Sequence, residues 1–167
     1  FSKLDELVNK KNQENKKNNF DAIIFDLGLS SNQLEDENRG FSFNSDSPLD
    51  MCMGECKTNV FEIINKFSEE KIANIIFNFG DEKFSRRIAK KIVSARKIKF
   101  IESTKELANL INKSFPISKI HKTKINPATK TFQAFRIYIN DELNEITKAL
   151  NQSINLLAPK GRLIIVS

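Results

Sequence analysis

The sequence predicts an α/β domain carrying an all-α insertion, and three observations carry that prediction. Two continuous apolar runs of strand length, Ala22-Ile23-Ile24-Phe25 and Leu163-Ile164-Ile165-Val166, lie near opposite ends of the chain. Unbroken apolarity over four residues suggests parallel strands buried on both faces. About 130 residues separate the runs, whereas a parallel crossover needs only a dozen or so, usually one helix. Most of that excess carries helical punctuation, so an inserted helical subdomain must occupy it.

Leu4, Leu7 and Val8 share one helical face, and the polar stretch Lys10 to Asn19 reads as a solvated loop after it. The first strand follows, bounded by Asp21 and Asp26. From Gly28 to Gly54 periodicity is lost, which marks a long functional or disordered loop, although Phe41 and Phe43 argue against plain disorder. Asn59 with Glu62 three residues on suggests a capping box before a helix carrying Val60, Phe61, Ile63, Ile64 and Phe67. Ser68 can cap a helix through Ile72, Ile75, Ile76 and Phe79, ended by Gly80. Asp81 can cap a third, with Phe84, Ile88, Ile92 and Val93 inward and Arg86, Arg87, Lys90 and Lys91 toward water. Ser103 with Glu106 opens a fourth, with Leu107, Leu110 and Ile111 as its apolar face. The segment from Pro116 to Ile125 is basic and irregular. Asn126-Pro127 then starts a long helical pattern to about Leu157, broken near Asn140-Asp141 and ended by Pro159 and Gly161. The second strand, Arg162 to Val166, closes the chain.

With 167 residues, 40% of them hydrophobic and 14 of them Phe, the chain can fill a core. It carries 27 Lys and Arg against 21 Asp and Glu, a formal charge of +6. That balance suits a polyanionic partner, nucleic acid being the commonest, but a plain compositional excess of lysine explains it equally well. Cys52 and Cys56 make no disulfide framework and are expected as reduced thiols of a cytoplasmic protein. With His121 the only histidine, a zinc site would lack ligands, and no metal is expected. No run of about 18 apolar residues exists to span a membrane. The chain starts at Phe1 and stops as an apolar strand finishes, so a fragment is expected.

Ligands of open parallel sheets bind outside the carboxyl ends of strands. Asp26 occupies such an end, and Leu27-Gly28-Leu29-Ser30-Ser31-Asn32-Gln33 follows with a glycine for close approach and short polar groups. The same Asp serves equally as a loop cap. The five glycines are isolated, so this sequence contains no phosphate-cradling Gly-rich loop and an NTPase is not expected.

These residues resemble a known family. Asp26-Leu27-Gly28-Leu29-Ser30-Ser31-Asn32-Gln33-Leu34, Arg39-Gly40-Phe41-Ser42-Phe43 and Pro48-Leu49-Asp50-Met51 are similar to motifs of the RsmH (MraW) methyltransferases. So are Gly80 to Ala89, Asn126 to Ile137, Asn140-Asp141-Glu142-Leu143 and Leu157 to Leu163, in matching order over essentially the whole chain. The resemblance implies a partial Rossmann-like methyltransferase sheet and S-adenosylmethionine as cofactor. It implies methylation of N4 of a cytosine in small-subunit (16S) ribosomal RNA. The expected partner is that RNA or the 30S subunit, with a homodimer admitted as one assembly. Residues 1–37 would begin the methyltransferase domain, 38–140 would form a helical RNA-recognition insert, and 141–167 would continue the first domain. A Gly-rich cofactor loop would precede Phe1.

Carried over by position, the cofactor contacts would be Phe1, Asp26 and Gln33, with Asp26 also catalytic. Arg39, Phe41, Arg86, Arg87, Lys130 and Arg136 are the RNA-contact candidates, with Arg96, His121, Lys122 and Lys124 as further basic positions. Phe41 either stacks on an extruded base or anchors the core, and Phe43 is expected in the core. The chain departs from the family pattern at Cys52, Gly54, Asn126, Lys130 and Lys160, where Arg, Asp, His, Arg and Gly are usual. Competing readings are a non-catalytic basic RNA-binding module and an amino-methyltransferase acting on DNA or transfer RNA. The latter typically has a Pro-Pro-aromatic turn where this chain has Leu27-Gly28-Leu29.

Overall fold

The computed structural model describes residues 3–12, 20–116 and 125–166. Phe1, His121, Lys122 and Lys124 lie outside them, as does most of the basic segment expected to be irregular. The chain divides into two compact units, one made of Phe1–Leu29 with Asp141–Ser167 and the other of Ser30–Asn140.

The first unit holds the sheet. Strand β1 (Phe20–Asp26) pairs in parallel with β2 (Leu157–Val166), matching Ile23 to Leu163 and Asp26 to Val166. Helix α1 spans Leu4–Asn12, three residues past the expected end, into the polar stretch read as loop. The fold class is α/β with a parallel pair, as expected, but the burial is not. Only Phe25 of β1 is buried, while Ile24 is 64% exposed and Ile164 and Ile165 are about half exposed. Among the described residues each of the two strands has one neighbour, so there the apolar runs are covered on few sides. The second strand also begins at Leu157, five residues before the expected start at Arg162. Phe20 pairs with Leu157 and Ala22 with Arg162, so the ladder skips 158–161, where Lys160 takes a left-handed φ of 69°. That irregularity accommodates Pro159, which has no N–H for a ladder.

The second unit is helical. In chain order come α2 (Ser31–Glu35), α3 (Val60–Lys66), α4 (Glu69–Gly80), α5 (Ser85–Arg96), α6 (Thr104–Asn112) and α7 (Ala128–Ile139). Helix α8 (Glu142–Leu156) follows the break at Asn140-Asp141 and belongs to the sheet unit. The core of the helical unit is the set of apolar faces the periodicity gave, with Ile63, Ile64, Ile72, Ile76, Ile88, Ile92, Leu107, Ile111 and Phe135 fully buried.

Caps follow the sequence at Asn59, Ser68 and Ser103, whose side chains accept from the N–H groups of Glu62, Lys71 and Glu106. Neither Glu62 nor Glu106 closes a reciprocal box, because Glu62 binds Thr58 and Lys66 and Glu106 accepts from Glu102 N–H. Two punctuation readings need correction. Gly80 is the last helical residue of α4, and a Cβ there would sit 2.6 Å from the Lys130 carbonyl on α7. Its lack of a side chain therefore lets two helices touch. Asp81 takes the left-handed cap with φ 46° and ends α4 rather than starting α5. Glu82, 7% exposed, instead accepts from Phe84 N–H at 2.8 Å just before α5.

The segment read as a long loop is largely built into the helical core. Leu49 and Met51 are 2% and 1% exposed. Thr104 N–H donates to the Ser47 carbonyl, and Ser47 N–H donates to Thr104 Oγ1, fixing the segment to the start of α6. Gly40 has φ 68°, and its missing Cβ would fall 2.0 Å from the Pro48 carbonyl. Cys52 and Cys56 are joined by a disulfide, where compartment reasoning gave reduced thiols. The turn between them brings their Cα atoms to 6.0 Å, within disulfide reach. Bonded sulfurs carry no S–H, so the approaches of Cys52 Sγ to the Gly54 carbonyl and Cys56 Sγ to Asn140 Oδ1 are packing contacts.

Candidate functional site

Side chains alternate across a strand, so burial of Phe25 turns Asp26 to the other face. Asp26 is exposed, and no described residue hydrogen-bonds its carboxylate. Leu27 N–H donates to the Val166 carbonyl at 2.9 Å, extending the ladder one residue past Asp26 and fixing the strand end. Gly28 then adopts φ 116°, a conformation that L side chains rarely take. A Cβ there would meet nothing within 4 Å, so the glycine is needed for its backbone angle rather than for space. The result is a sharp exit that leaves a carboxylate at the carboxyl end of a parallel strand.

In the helical unit, Ser30 caps α2, and Gln33 completes a capping box. Ser30 Oγ accepts from Gln33 N–H at 3.3 Å, and Gln33 Oε1 accepts from Ser30 N–H at 3.0 Å. The Gln33 carbonyl oxygen is thus committed to shaping the turn, which leaves only its amide nitrogen for a ligand.

The RNA-contact candidates do not form one surface. Arg39 points inward, donating from Nη2 to the Cys52 carbonyl at 2.9 Å with its guanidinium 5.3 Å from the Phe41 ring centre. Phe41 is 6% exposed, which leaves no ring face for a base and corrects the stacking expectation. Phe43 meets Phe132 edge-on at 5.1 Å, as a core anchor. Lys130 Nζ donates to the Asp81 carbonyl at 3.0 Å with the Asp81 carboxylate at 3.8 Å, so its charge serves the end of α4. Arg136 is half-buried in the last turn of α7. Only Arg86 and Arg87 stand together and exposed, on α5, and Arg86 borders a groove shared with Glu69 and Glu70 of α4.

Arg96, grouped in the sequence with the surface cations, is internal in function. Its guanidinium donates to the carbonyls of Ile64 and Phe67, capping the end of α3. Burial lowers its pKa by disfavouring the charged form. Sequence reasoning also missed Asn140 beyond its role as a break. Its amide donates to the carbonyls of Met51 at 2.8 Å and Arg136 at 2.9 Å, while Oδ1 accepts from Met53 N–H at 2.7 Å. Asn140 therefore clips the 51–56 turn to the end of α7. The one available signal was an Asn before a left-handed Asp141, φ 49°, since an Asn there often bonds backbone.

Comparison with known proteins places the whole chain against one family: the MraW methylase family model matches residues 1–167. The chain is 52% identical over 152 residues to the ribosomal RNA small subunit methyltransferase H of Rickettsia canadensis, an alignment covering 91% of this chain and 48% of that protein. It is 49% identical over 148 residues to the protein of the same name from Ehrlichia canis, with coverage of 88% and 49%. The Wolbachia protein from Brugia malayi is 48% identical over 151 residues, with coverage of 90% and 44%. The chain thus spans about half the length of the curated relatives it matches.

Proposed function

The chain belongs to the MraW methylase family, and from that premise we propose that it forms part of an enzyme methylating N4 of a cytosine in small-subunit ribosomal RNA. S-adenosylmethionine is the proposed methyl donor, and the intact 30S subunit or its RNA the proposed partner. The observation that carries the reading is the exposed Asp26 carboxylate at the end of β1, followed by the Gly28 exit. Polar groups of a ligand at a parallel strand end need such an acceptor, and nothing in the described chain competes for this one. The residues present therefore fit the donor group.

Bound there, S-adenosylmethionine supplies an electrophilic methyl carried on sulfur. The target amine is a weak nucleophile because its lone pair is delocalised into the pyrimidine ring. Asp26 accepts a hydrogen bond from that amine, which localises the pair, and offsets the positive charge that grows on nitrogen as the new bond forms. The carbonyls of Leu27, Gly28 and Leu29 are further candidate acceptors, whereas that of Ser30 already accepts from the N–H groups of Gln33 and Leu34. The base must leave its stack to reach such a group. Gln33 spends its side-chain carbonyl oxygen on the Ser30 N–H, so its part is to shape the start of α2, with only its amide nitrogen left for a ligand.

In the full-length enzyme, Asp26→Ala is expected to abolish methylation of 30S subunits while leaving the fold intact. Methylation would be read by mass spectrometry of the isolated RNA. Activity within a few-fold of the parent would sink the assignment of Asp26.

A further inference from the structure

Helix α5 reads Ser-Arg-Arg-Ile-Ala-Lys-Lys-Ile-Val-Ser-Ala-Arg and contains no acidic residue. Its inner face buries Ser85, Ile88, Ala89 and Ile92. On the outer face Arg87, Lys90 and Lys91 are exposed, and the C-cap residue Lys97, still in helical conformation, extends the same stripe. Like charges three and four residues apart repel on a helix, and here no acid on the helix relieves them. Arg86 differs because Glu69 and Glu70 of α4 border its groove. The remaining four cations run about 15 Å along one side.

The stripe ends at an aromatic platform. Phe100 is 57% exposed, yet its position is fixed. Its ring stands at 87° against Phe61 with centroids 6.1 Å apart, so the contact uses one side of the ring. The next residue, Ile101, is fully buried, with Asn65 accepting from its N–H at 3.1 Å and donating to its carbonyl at 2.9 Å. Ile98, two residues before the platform, is 91% exposed. Lys99 lies between them, ion-paired to Glu102 at 3.2 Å, and the hydrogen bond it donates to that carboxylate raises its pKa.

We infer that the outer face of α5 and the Phe100 platform form a track for single-stranded RNA, with phosphates on Arg87, Lys90, Lys91 and Lys97 and a base stacked on Phe100. Positive grooves that lead to aromatic faces are how proteins hold unpaired strands. A duplex keeps its bases stacked on each other and offers none to Phe100. The identification of the polyanion as RNA rests on the proposed function, whereas the track itself rests on charge and exposure.

The test is binding of a fluorescein-labelled single-stranded oligoribonucleotide to this chain by anisotropy, across a salt series, with a matched duplex for comparison. Phe100→Ala is expected to weaken single-strand binding roughly ten-fold, within the range of one base stack, with the salt dependence unchanged. Joint Lys90→Ala and Lys91→Ala replacement is expected to reduce the slope of log affinity against log salt by about 1.4. Since the chain contains no tryptophan, Phe100→Trp places a single indole at the platform, and the oligoribonucleotide should quench it while affinity is kept. Circular dichroism confirms that each variant is folded. Parent-like affinity in the alanine variants, an unquenched indole, preference for the duplex, or no RNA binding by the parent would each overturn the track. A full-length enzyme that binds RNA through these residues yet methylates no ribosomal RNA would instead overturn the proposed function and leave the track standing.

Discussion

Replacing Asn140 tests whether the 51–56 turn is held by one side chain. Asn140→Ala removes two donated bonds, to the carbonyls of Met51 and Arg136, and one accepted bond, from Met53 N–H. A typical intramolecular hydrogen bond contributes about 1 kcal/mol net, and a buried partner left unsatisfied costs somewhat more. Asn140 is half-buried, so water can replace part of what is lost. The expected destabilisation of the helical unit is about 3 kcal/mol. Asn140→Asp sharpens the test, because it keeps the acceptor for Met53 N–H but turns a carboxylate oxygen toward two carbonyls. It should cost at least as much as alanine. Tyr138 is the only tyrosine of the chain and lies between Phe67 and Phe79, with ring centroids 6.5 and 5.9 Å away. Its fluorescence in urea therefore reports the helical unit, whatever the sheet unit does. If both variants unfold within about 0.5 kcal/mol of the parent, the size expected for an ordinary surface substitution, the clip does not hold the turn.

Three further outcomes are expected. Gly80→Ala should destabilise by about 1–3 kcal/mol through overpacking, because the added methyl meets the Lys130 carbonyl. Helix propensity alone gives the opposite sign, a gain of about 1 kcal/mol, so the direction of the melting shift decides. Arg96→Ala should cost about 2–4 kcal/mol by leaving the carbonyls of Ile64 and Phe67 without their donor. Arg96→Lys should recover only part of that, since an ammonium cannot fork to both, and full recovery in denaturant melts would contradict the capping role. Hydrogen bonds from Lys66 and then Thr58 hold the Glu62 carboxyl below its ordinary pKa. A depressed folded pKa gives stability that is present above the unfolded value and lost as pH falls through the folded one. Glu62→Gln should therefore flatten the loss of stability on the acid side, below about pH 4.3. The effect is small for so exposed a pair, and an unchanged acid limb in pH-dependent melts would refute it.

The sequence determined the features that depend on neighbours along the chain. The helical faces of α3 to α7 follow from the 3.6-residue spacing of Ile, Leu and Phe, and the caps at Asn59, Ser68 and Ser103 from side chains that reach only three residues. The break at Asn140-Asp141 was legible for the same reason, as was Asp26 at a strand end. Tertiary structure alone decided what each polar group faces. Arg39 and Arg96 have the composition of surface cations, yet both donate to carbonyls 13 and about 30 residues away in sequence. Phe41 has the same residue type and sequence surroundings as a stacking aromatic, but folding buries its ring, with the Arg39 guanidinium over it. Gly80 reads as a helix terminator until α7 is laid against it. A local pattern fixes backbone periodicity because its causes lie within a turn or two. The partner of a long side chain is set by whichever distant carbonyl folding brings within 3 Å, and nothing local encodes that distance.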